Sequence, residues 1–436
     1  MENRFQKEYR DKLRTLEDAA KFIESGDHIA VPPVQGEPEH LCRAIADRLR
    51  TKDLKNITLT NVWTLGNGNP LFDPSLKDQV EIDSTFICDA YRWSVDKPSS
   101  HFIPANYMDV PRLFSRGMRR VDVFMAEVAP MDRHGYFNLS LALSHSQTII
   151  RNAKKVILVV NEKMPRVYGD TAVHISQVDL VVEDTHDLVE LVAEGTSPNA
   201  MKMAGYIAEM VPDGACLQVG VGNVPNAVTS LLKDKKDLGI HTELFCECMV
   251  DLIECGAVNN SQKGIDRGKS VFTFAMGTRR MYDYVDENPG VAAFEVDYVN
   301  NPMVIARNKK VISINATLQV DLTGQCCSES IGWRQYSGVG GQADFCRGAY
   351  FSEGGKSFLC MNSTAKNGTI STIVPMLNSG AIVSTKRTEC MYIVTEYGVA
   401  TMIGKSVRER VKELIEIAHP DFRSDLKREA NKMGLL

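Results

Sequence analysis

Long apolar runs are missing from this chain. No stretch of about 18 apolar residues occurs in its 436 residues, so no membrane-spanning helix is expected. The segment from Met1 to Thr15 is charged and polar, without the apolar stretch of a secretory signal. Excess basic charge is missing too. Fifty Lys and Arg stand against 55 Asp and Glu, a formal net charge of -5 spread along the chain. This excludes the basic footprint of a nucleic-acid binder. Any anionic ligand must be held locally, by backbone amides or a few side chains.

Several catalytic signatures are also missing. Three Gly-Lys-Ser triplets occur, at Gly268, Gly355 and Gly404, but the positions where a P-loop needs its first Gly hold Lys263, Tyr350 and Val399. An NTPase is excluded on that ground. No G-x-S-x-G elbow of a serine hydrolase and no H-E-x-x-H zinc motif is present. Cys246/Cys248 and Cys326/Cys327 lack zinc-site spacing, so no metal is expected. The pairs read better as small buried hydrophobes. The eleven Cys form an odd number, which suggests reduced thiols in a cytoplasmic setting.

What is present is the composition of a globular protein, 44% hydrophobic and 24% charged. The length suggests two domains. Strand-like and helix-like segments alternate, as in a parallel or mixed sheet covered by helices. Helices are expected at Leu16–Ile23, capped by Thr15, and at Glu39–Leu49. Strands are expected at His28–Val34, Asn56–Asn61, Val121–Val128 and Lys155–Val160. Gly195 to Asn199 has linker composition. It also has helix-start chemistry, with Ser197 as cap and Pro198 at the first helical position. The boundary is placed there, giving domains 1–196 and 197–436.

The segment Leu217–Asn226 carries the first chemical signal. An apolar strand runs into Gly220-Val221-Gly222, and Asn223-Val224-Pro225 then opens a helix through Leu232. Glycines let backbone approach a ligand. The free N–H groups and dipole of the first turn suit a phosphate or a developing oxyanion. A tight strand-to-helix turn without ligand reads equally well from these residues. A second cluster, Ser337 to Gln342 with Gly338, Gly340 and Gly341, matches G-x-G-x-x-A formally. No apolar strand precedes it and no clear helix follows, so a loop, binding or merely structural, is expected.

Carboxylates remain. Gly239–Phe245 reads as one short buried strand, with a helix from about Glu247. Glu243 near the end of that strand is energetically awkward, because burial without partners raises its pKa or costs several kcal/mol. Such a group is a candidate for catalysis, or else pairs with a Lys or backbone amides. Glu37 in Gly36-Glu37-Pro38 and Glu396 in Thr395-Glu396-Tyr397-Gly398 are rivals, with capping as their ordinary role.

With these residues in place, the chain resembles the acetyl-CoA hydrolase/transferase branch of the class I coenzyme A transferases. Within that branch it looks most like the 4-hydroxybutyrate and butyrate:acetate CoA-transferases. The matching segments include Gly36-Glu37-Pro38, Met131–Tyr136, Gln218–Asn226, His241-Thr242-Glu243, Val320–Gln325, Gly338–Phe345, Thr395–Gly398 and Ile417–Pro420. The resemblance spans nearly the whole chain.

It implies two open mixed or parallel α/β domains of similar design, with the active site between them. It implies Glu243 as nucleophile, and coenzyme A contacts from Gly220, Val221, Gly222, Asn223 and Val224 and from the loop at Gly340 and Gly341. Acyl-CoA and short carboxylic acids would be the substrates, with no permanent cofactor and a homodimer as assembly. An acyl-CoA hydrolase, or a catalytically silent CoA-binding protein, is the alternative. One departure stands out. Relatives carry Ser-Asp-Gly or something close after the His-Thr-Glu segment, and this chain has Cys246-Glu247-Cys248.

Overall fold

Runs of Val, Ile and Leu lie at the centre of the larger of two main sheets. The computed structural model describes residues 4–64, 68–192, 195–220 and 222–436. The chain divides into two compact units, Met1–Val192 with Val271–Val299, and Ala193–Ser270 with Asn300–Leu436.

The first unit holds strands β1 (Leu13–Arg14), β2 (His28–Ala30), β3 (Ile57–Thr60), β4 (Val80–Ser84), β5 (Ser100–Phe102), β6 (Val123–Val128), β7 (Lys155–Val160) and β8 (Leu180–Glu183). Their order is β1-β8-β7-β6-β2-β3-β4-β5, and every pairing is parallel. All of β6 is buried, as a central strand covered on both faces requires. Helix α1 (Glu39–Arg50) turns Leu41, Cys42, Ile45, Ala46 and Leu49 inward, one stripe at helical spacing. Burying a Leu or Ile of this kind stabilises by about 1.5–3 kcal/mol. The expected strand over 28–34 stops at Ala30. Pro32 and Pro33 follow, and proline has no N–H for the ladder.

The single cut at residue 196 does not describe this division, because Val271–Val299 belongs with the first unit. The physical reason is backbone pairing. Ser144 N–H donates to Thr273 O at 2.9 Å, Ala275 N–H to Leu141 O at 2.8 Å, and Asp170 N–H to Ala293 O at 2.9 Å. The Glu295 carboxylate accepts from Thr148 N–H at 2.6 Å.

The second unit holds β9 (Cys216–Val219), β10 (Gly239–Ile240), β11 (Val311–Ala316), β12 (Lys356–Cys360), β13 (Tyr392–Thr395) and β14 (Gly398–Thr401). Their order is β10-β9-β11-β12-β13-β14. All pairings are parallel except β13–β14. The chain therefore leaves β9 towards β10 on one side and reaches β11 on the other. In open α/β sheets such a reversal leaves a crevice at the carboxyl ends of the strands. Helices α2 (Pro198–Met210), α3 (Asn223–Leu231), α4 (Glu247–Glu254) and α5 (Gln342–Phe351) belong to this unit. Ser197 caps α2 as expected, its hydroxyl accepting from Ala200 N–H at 3.2 Å.

The expected strand over 239–245 is two strands. β10 ends at Ile240, and pairing resumes only at Leu244–Cys246. The Thr242 hydroxyl donates to Leu244 O at 3.1 Å, a local bond that competes with a continuous ladder. Helix α4 starts at Glu247, where it was expected.

In the first unit, β6 buries Glu127. Asn161 Nδ2 donates to Glu127 Oε1 at 2.6 Å, and His186 Nε2 lies 3.2 Å from Oε2. The Glu127 carboxylate pushes the His186 ring up to about 9, against the opposing effect of burial. A histidine raised on folding adds stability that is complete below its ordinary value near 6.5 and lost as pH rises through about 9. Wild-type thermal stability should therefore decline across that window relative to His186→Gln, by about 1–2 kcal/mol after screening by water. Melting temperatures of both proteins from pH 6 to 9.5 test this, and parallel curves would refute it.

Candidate active site

Gly220, Gly222, Asn223 and Val224 come together at the carboxyl ends of β9 and β11, where they line a cavity of about 400 Å³ with Pro225. Val221 lies outside the described residues. Gly222 has φ of 128°, a conformation that residues with a Cβ rarely adopt. That turn lets the chain pass directly from β9 into α3. The N–H groups of Asn223 and Val224, in the first turn of α3, have no intrahelical acceptor, and the helix dipole adds partial positive charge there. The far wall includes Asn315, Thr317 and Asn362.

Glu243 leaves the end of the neighbouring strand. His241 N–H donates to Leu217 O at 3.1 Å, and the Thr242 hydroxyl reaches Val219 O at 3.5 Å. The two residues that lead into Glu243 are thus registered against β9, the strand that runs into Gly220. Glu243 itself is not among the residues that line the cavity. By accessible surface it is half-buried, yet heavy atoms crowd the carboxylate closely enough for burial to push its pKa up to about 7. Asn300 Nδ2 donates to Oε2 at 2.6 Å and opposes that shift. Among the described residues no Lys or Arg pairs with it.

Gly341 packs against the same carboxylate. A methyl group there would overlap Glu243 Oε2 and Asn300 Nδ2. Gly340, with φ of 53°, turns the chain into this position. A helix does open after the cluster, contrary to expectation: α5 begins at Gln342 with Gly341 before it. Its inward residues include Gln342, Asp344 and Gly348 beside Phe345 and Ala349, which blurs the apolar stripe in the sequence. Gln342 Nε2 fastens the helix start, donating to Ser328 Oγ at 2.8 Å and Thr385 Oγ1 at 2.9 Å.

The rival carboxylates differ in kind. Glu37 closes the short 3-10 turn Val34–Gly36 through its backbone N–H, which donates to Val34 O at 3.2 Å, but its carboxylate caps no helix. It is buried and accepts from Asn61 Nδ2 at 3.0 Å, Thr64 Oγ1 at 2.5 Å and Asn69 Nδ2. Burial pushes it up to about 7. Glu396 accepts from Ser363 N–H at 2.9 Å and Ser363 Oγ at 2.6 Å, bonds that tie two loops together. Asn300 was missed by sequence reasoning. It precedes Asn301-Pro302, which reads as a helix start, and Asn301 does cap Met303 N–H at 3.0 Å. No sequence signal separated the two asparagines.

Two further groupings lie in the first unit. His40, Asp184 and His186 offer ligand-type atoms within 4.8 Å of one another. Ion pairing accounts for them: His40 Nδ1 lies 2.8 Å from Asp184 Oδ2, and His186 faces Glu127. A cavity of about 510 Å³ is lined by Tyr9, Glu162 and Glu183. Its carboxylates disfavour an anionic ligand, and none of the candidate catalytic or coenzyme A-binding residues lines it.

Comparison with known proteins gives one consistent result. The acetyl-CoA hydrolase/transferase N-terminal domain matches residues 1–193, and the C-terminal domain of the same family matches residues 277–430. A succinyl-CoA:cyclohexane-1-carboxylate CoA transferase of Geobacter metallireducens is 46% identical, covering 99% of this chain and 97% of its own. A 4-hydroxybutyrate coenzyme A transferase of Clostridium kluyveri is 40% identical, covering 97% of this chain and 98% of its own. The crystal structure of RipA from Yersinia pestis superposes with a TM-score of 0.94 at 42% identity, covering 100% of both chains.

The fit of Gly341 against Glu243 leads to a direct test. Gly341→Ala should cost about 1–3 kcal/mol, the usual penalty of overpacking, and should displace the carboxylate from Asn300. Thermal denaturation reads the first effect. The carboxyl carbon shift of Glu243 in NMR reads the second, and an unchanged shift would show that the glycine is not needed there.

Proposed function

Because the chain belongs to the acetyl-CoA hydrolase/transferase family, and is a CoA-transferase, we propose that it moves coenzyme A between an acyl-CoA and a carboxylic acid through covalent catalysis by Glu243. The observation that carries this reading is the state of that carboxylate. It is desolvated, held by one amide donor and seated against glycine backbone. A poorly solvated carboxylate with a raised pKa is a better nucleophile than one in water.

The reaction needs no proton transfer. The Glu243 carboxylate attacks the thioester carbonyl, and the carbon–sulfur bond breaks to release CoA thiolate, leaving a mixed anhydride. The thiolate attacks the glutamyl carbonyl of that anhydride. The first acid departs and a glutamyl-CoA thioester remains. The incoming carboxylate repeats the two attacks in reverse order, giving the new acyl-CoA and free Glu243. The thioester energy is kept throughout, in keeping with a chain that carries no P-loop.

Each attack creates an oxyanion. The N–H groups of Asn223 and Val224 are the donors we assign to it, aided by the positive end of α3. Gly220, Val221, Gly222, Gly340 and Gly341 would let backbone approach coenzyme A. Acetate, butyrate and 4-hydroxybutyrate are the acids first expected. The relative that acts on cyclohexane-1-carboxylate adds cyclic acids and a succinyl-CoA donor to the range. A cytoplasmic homodimer is the setting the family resemblance supports, and all eleven cysteines are free thiols.

Glu243→Gln should abolish transfer. In the wild type, incubation with acyl-CoA and no acceptor should add the mass of a CoA thioester to the peptide bearing Glu243. Retained activity in the variant would overturn the assignment. Loss of thioester without an added acid would instead point to a hydrolase.

The pH dependence follows from the same geometry. The nucleophile must be ionised, so kcat/KM should rise with pH through about 7. Asn300 favours the charged form. Asn300→Ala should therefore move that limb to higher pH, and a limb that stays in place would show that Asn300 does not set the ionisation of Glu243.

A further inference from the structure

The Cys246-Glu247-Cys248 segment has no part in the reaction above, yet its geometry is specific. Cys246 closes the short strand that begins right after Glu243, in an extended conformation with φ of -138° and ψ of 167°. Cys248 is the second residue of α4. The bend between strand and helix brings the two side chains to one side, and their sulfurs lie 3.3 Å apart.

Bond formation needs a separation of about 2.05 Å, so each sulfur moves by less than about 1 Å. Two trans peptide units span at most about 7 Å, which keeps the Cα pair within or close to the disulfide range.

The other thiols are placed differently. Cys326 and Cys390 approach to 3.9 Å, but both are buried. Cys255 is exposed, and its sulfur lies against the backbone carbonyls of Lys233 and Leu252, not against a second thiol. Cys248 is half-buried, which lets a small oxidant in, and it has a thiol neighbour in contact. The Cys246 thiol beside it favours its thiolate, the form that reacts.

We propose that Cys246 and Cys248 are a reversible oxidation site that takes small hydroperoxides and closes to a disulfide beside the nucleophile. The Cys248 thiolate attacks the terminal oxygen of the hydroperoxide. The oxygen–oxygen bond breaks, the departing alkoxide or hydroxide takes up the proton that Cys248 released on ionising and leaves as alcohol or water, and Cys248 becomes a sulfenic acid. The Cys246 sulfur then attacks the Cys248 sulfur. The sulfur–oxygen bond breaks, and the departing hydroxide takes the Cys246 proton as water. Two thiols and one hydroperoxide give one disulfide, one alcohol or water, and one water.

Closure reaches the site through the backbone: it ties the first turn of α4 to the strand three residues beyond Glu243. This consequence, unlike the chemistry of the thiols, rests on the assignment of Glu243.

The test treats the full chain with hydrogen peroxide, alkylates the remaining thiols and maps the peptides. The peptide carrying both cysteines should be lighter by two hydrogens and unalkylated. Acyl transfer should fall by about a hundredfold, the effect of an atomic misplacement of about 1 Å, and return with dithiothreitol. In Cys246→Ser, Cys248 should gain oxygen atoms instead, and activity lost to peroxide should not return. Two alkylated thiols after oxidation would overturn the proposal, whatever the activity. A mapped disulfide with unchanged transfer, in a protein that Glu243→Gln inactivates, would overturn the coupling to catalysis alone.

Discussion

The site in the second unit depends on a carboxylate taken out of water with no cation among the described residues to compensate it. Glu243 has Asn300 as hydrogen-bond donor and the backbone of Gly341 against its oxygen. A Lys or Arg in contact would make the carboxylate more stable and less reactive, because an ion pair lowers the energy of the lone pairs that must attack. Desolvation does the opposite. The penalty is tolerable here because it is only partial: the side chain keeps some exposed surface, and one amide holds the charged form. In stability terms, a carboxylate raised on folding contributes most at low pH and loses that contribution as pH climbs from about 4.5 to about 7. The fold carries this local cost, and large cores in both units offset it.

The rest of the geometry follows from parallel strands. A parallel sheet delivers successive strand ends to the same edge, so β9 and β10 place Gly220 and the Glu243 turn side by side although 23 residues separate them in sequence. Glycine then does two separate jobs. At Gly222 it supplies a positive φ that starts a helix abruptly. At Gly341 φ is ordinary, and the missing Cβ is what counts, because the carboxylate occupies that space. The first job can be guessed from a glycine between strand and helix. The second cannot, since it depends on a residue 98 positions away.

That distinction marks how far the sequence could be read. Strands made of Val, Ile and Leu, such as Lys155–Val160, lie where their composition places them, because burial on both faces leaves a continuous apolar signature. The caps at Thr15 and Ser197 were legible for the same local reason. Helix α5 was not, since Gln342, Asp344 and Gly348 face inward and replace apolar residues on its buried side. The break at His241–Glu243 was hidden because a threonine hydroxyl, not a proline or glycine, interrupts the ladder. Val271–Val299 joins the first unit through backbone bonds to residues 141–170, and backbone bonds leave no trace in side-chain pattern.

Two carboxylates, Glu37 and Glu243, are pushed up to about 7 by burial, so a raised pKa alone does not choose between them. Hydrogen-bond occupancy sets them apart. Glu37 accepts from three side chains, Asn61, Thr64 and Asn69, and both of its oxygens are engaged. A carboxylate so held is fixed in place, and attack on a carbonyl would require breaking those bonds. Among the described residues Glu243 has one such donor, on Oε2. That pattern suits the proposed role, since a carboxylate nucleophile needs one oxygen anchored and one free. The same logic assigns Asn300 its part. In the proposed reaction the amide would orient the group through the oxygen that does not attack, and could remain bonded when the other oxygen becomes part of an anhydride or when sulfur replaces it in a thioester. The distinction between the two buried glutamates therefore lies in what surrounds each oxygen atom.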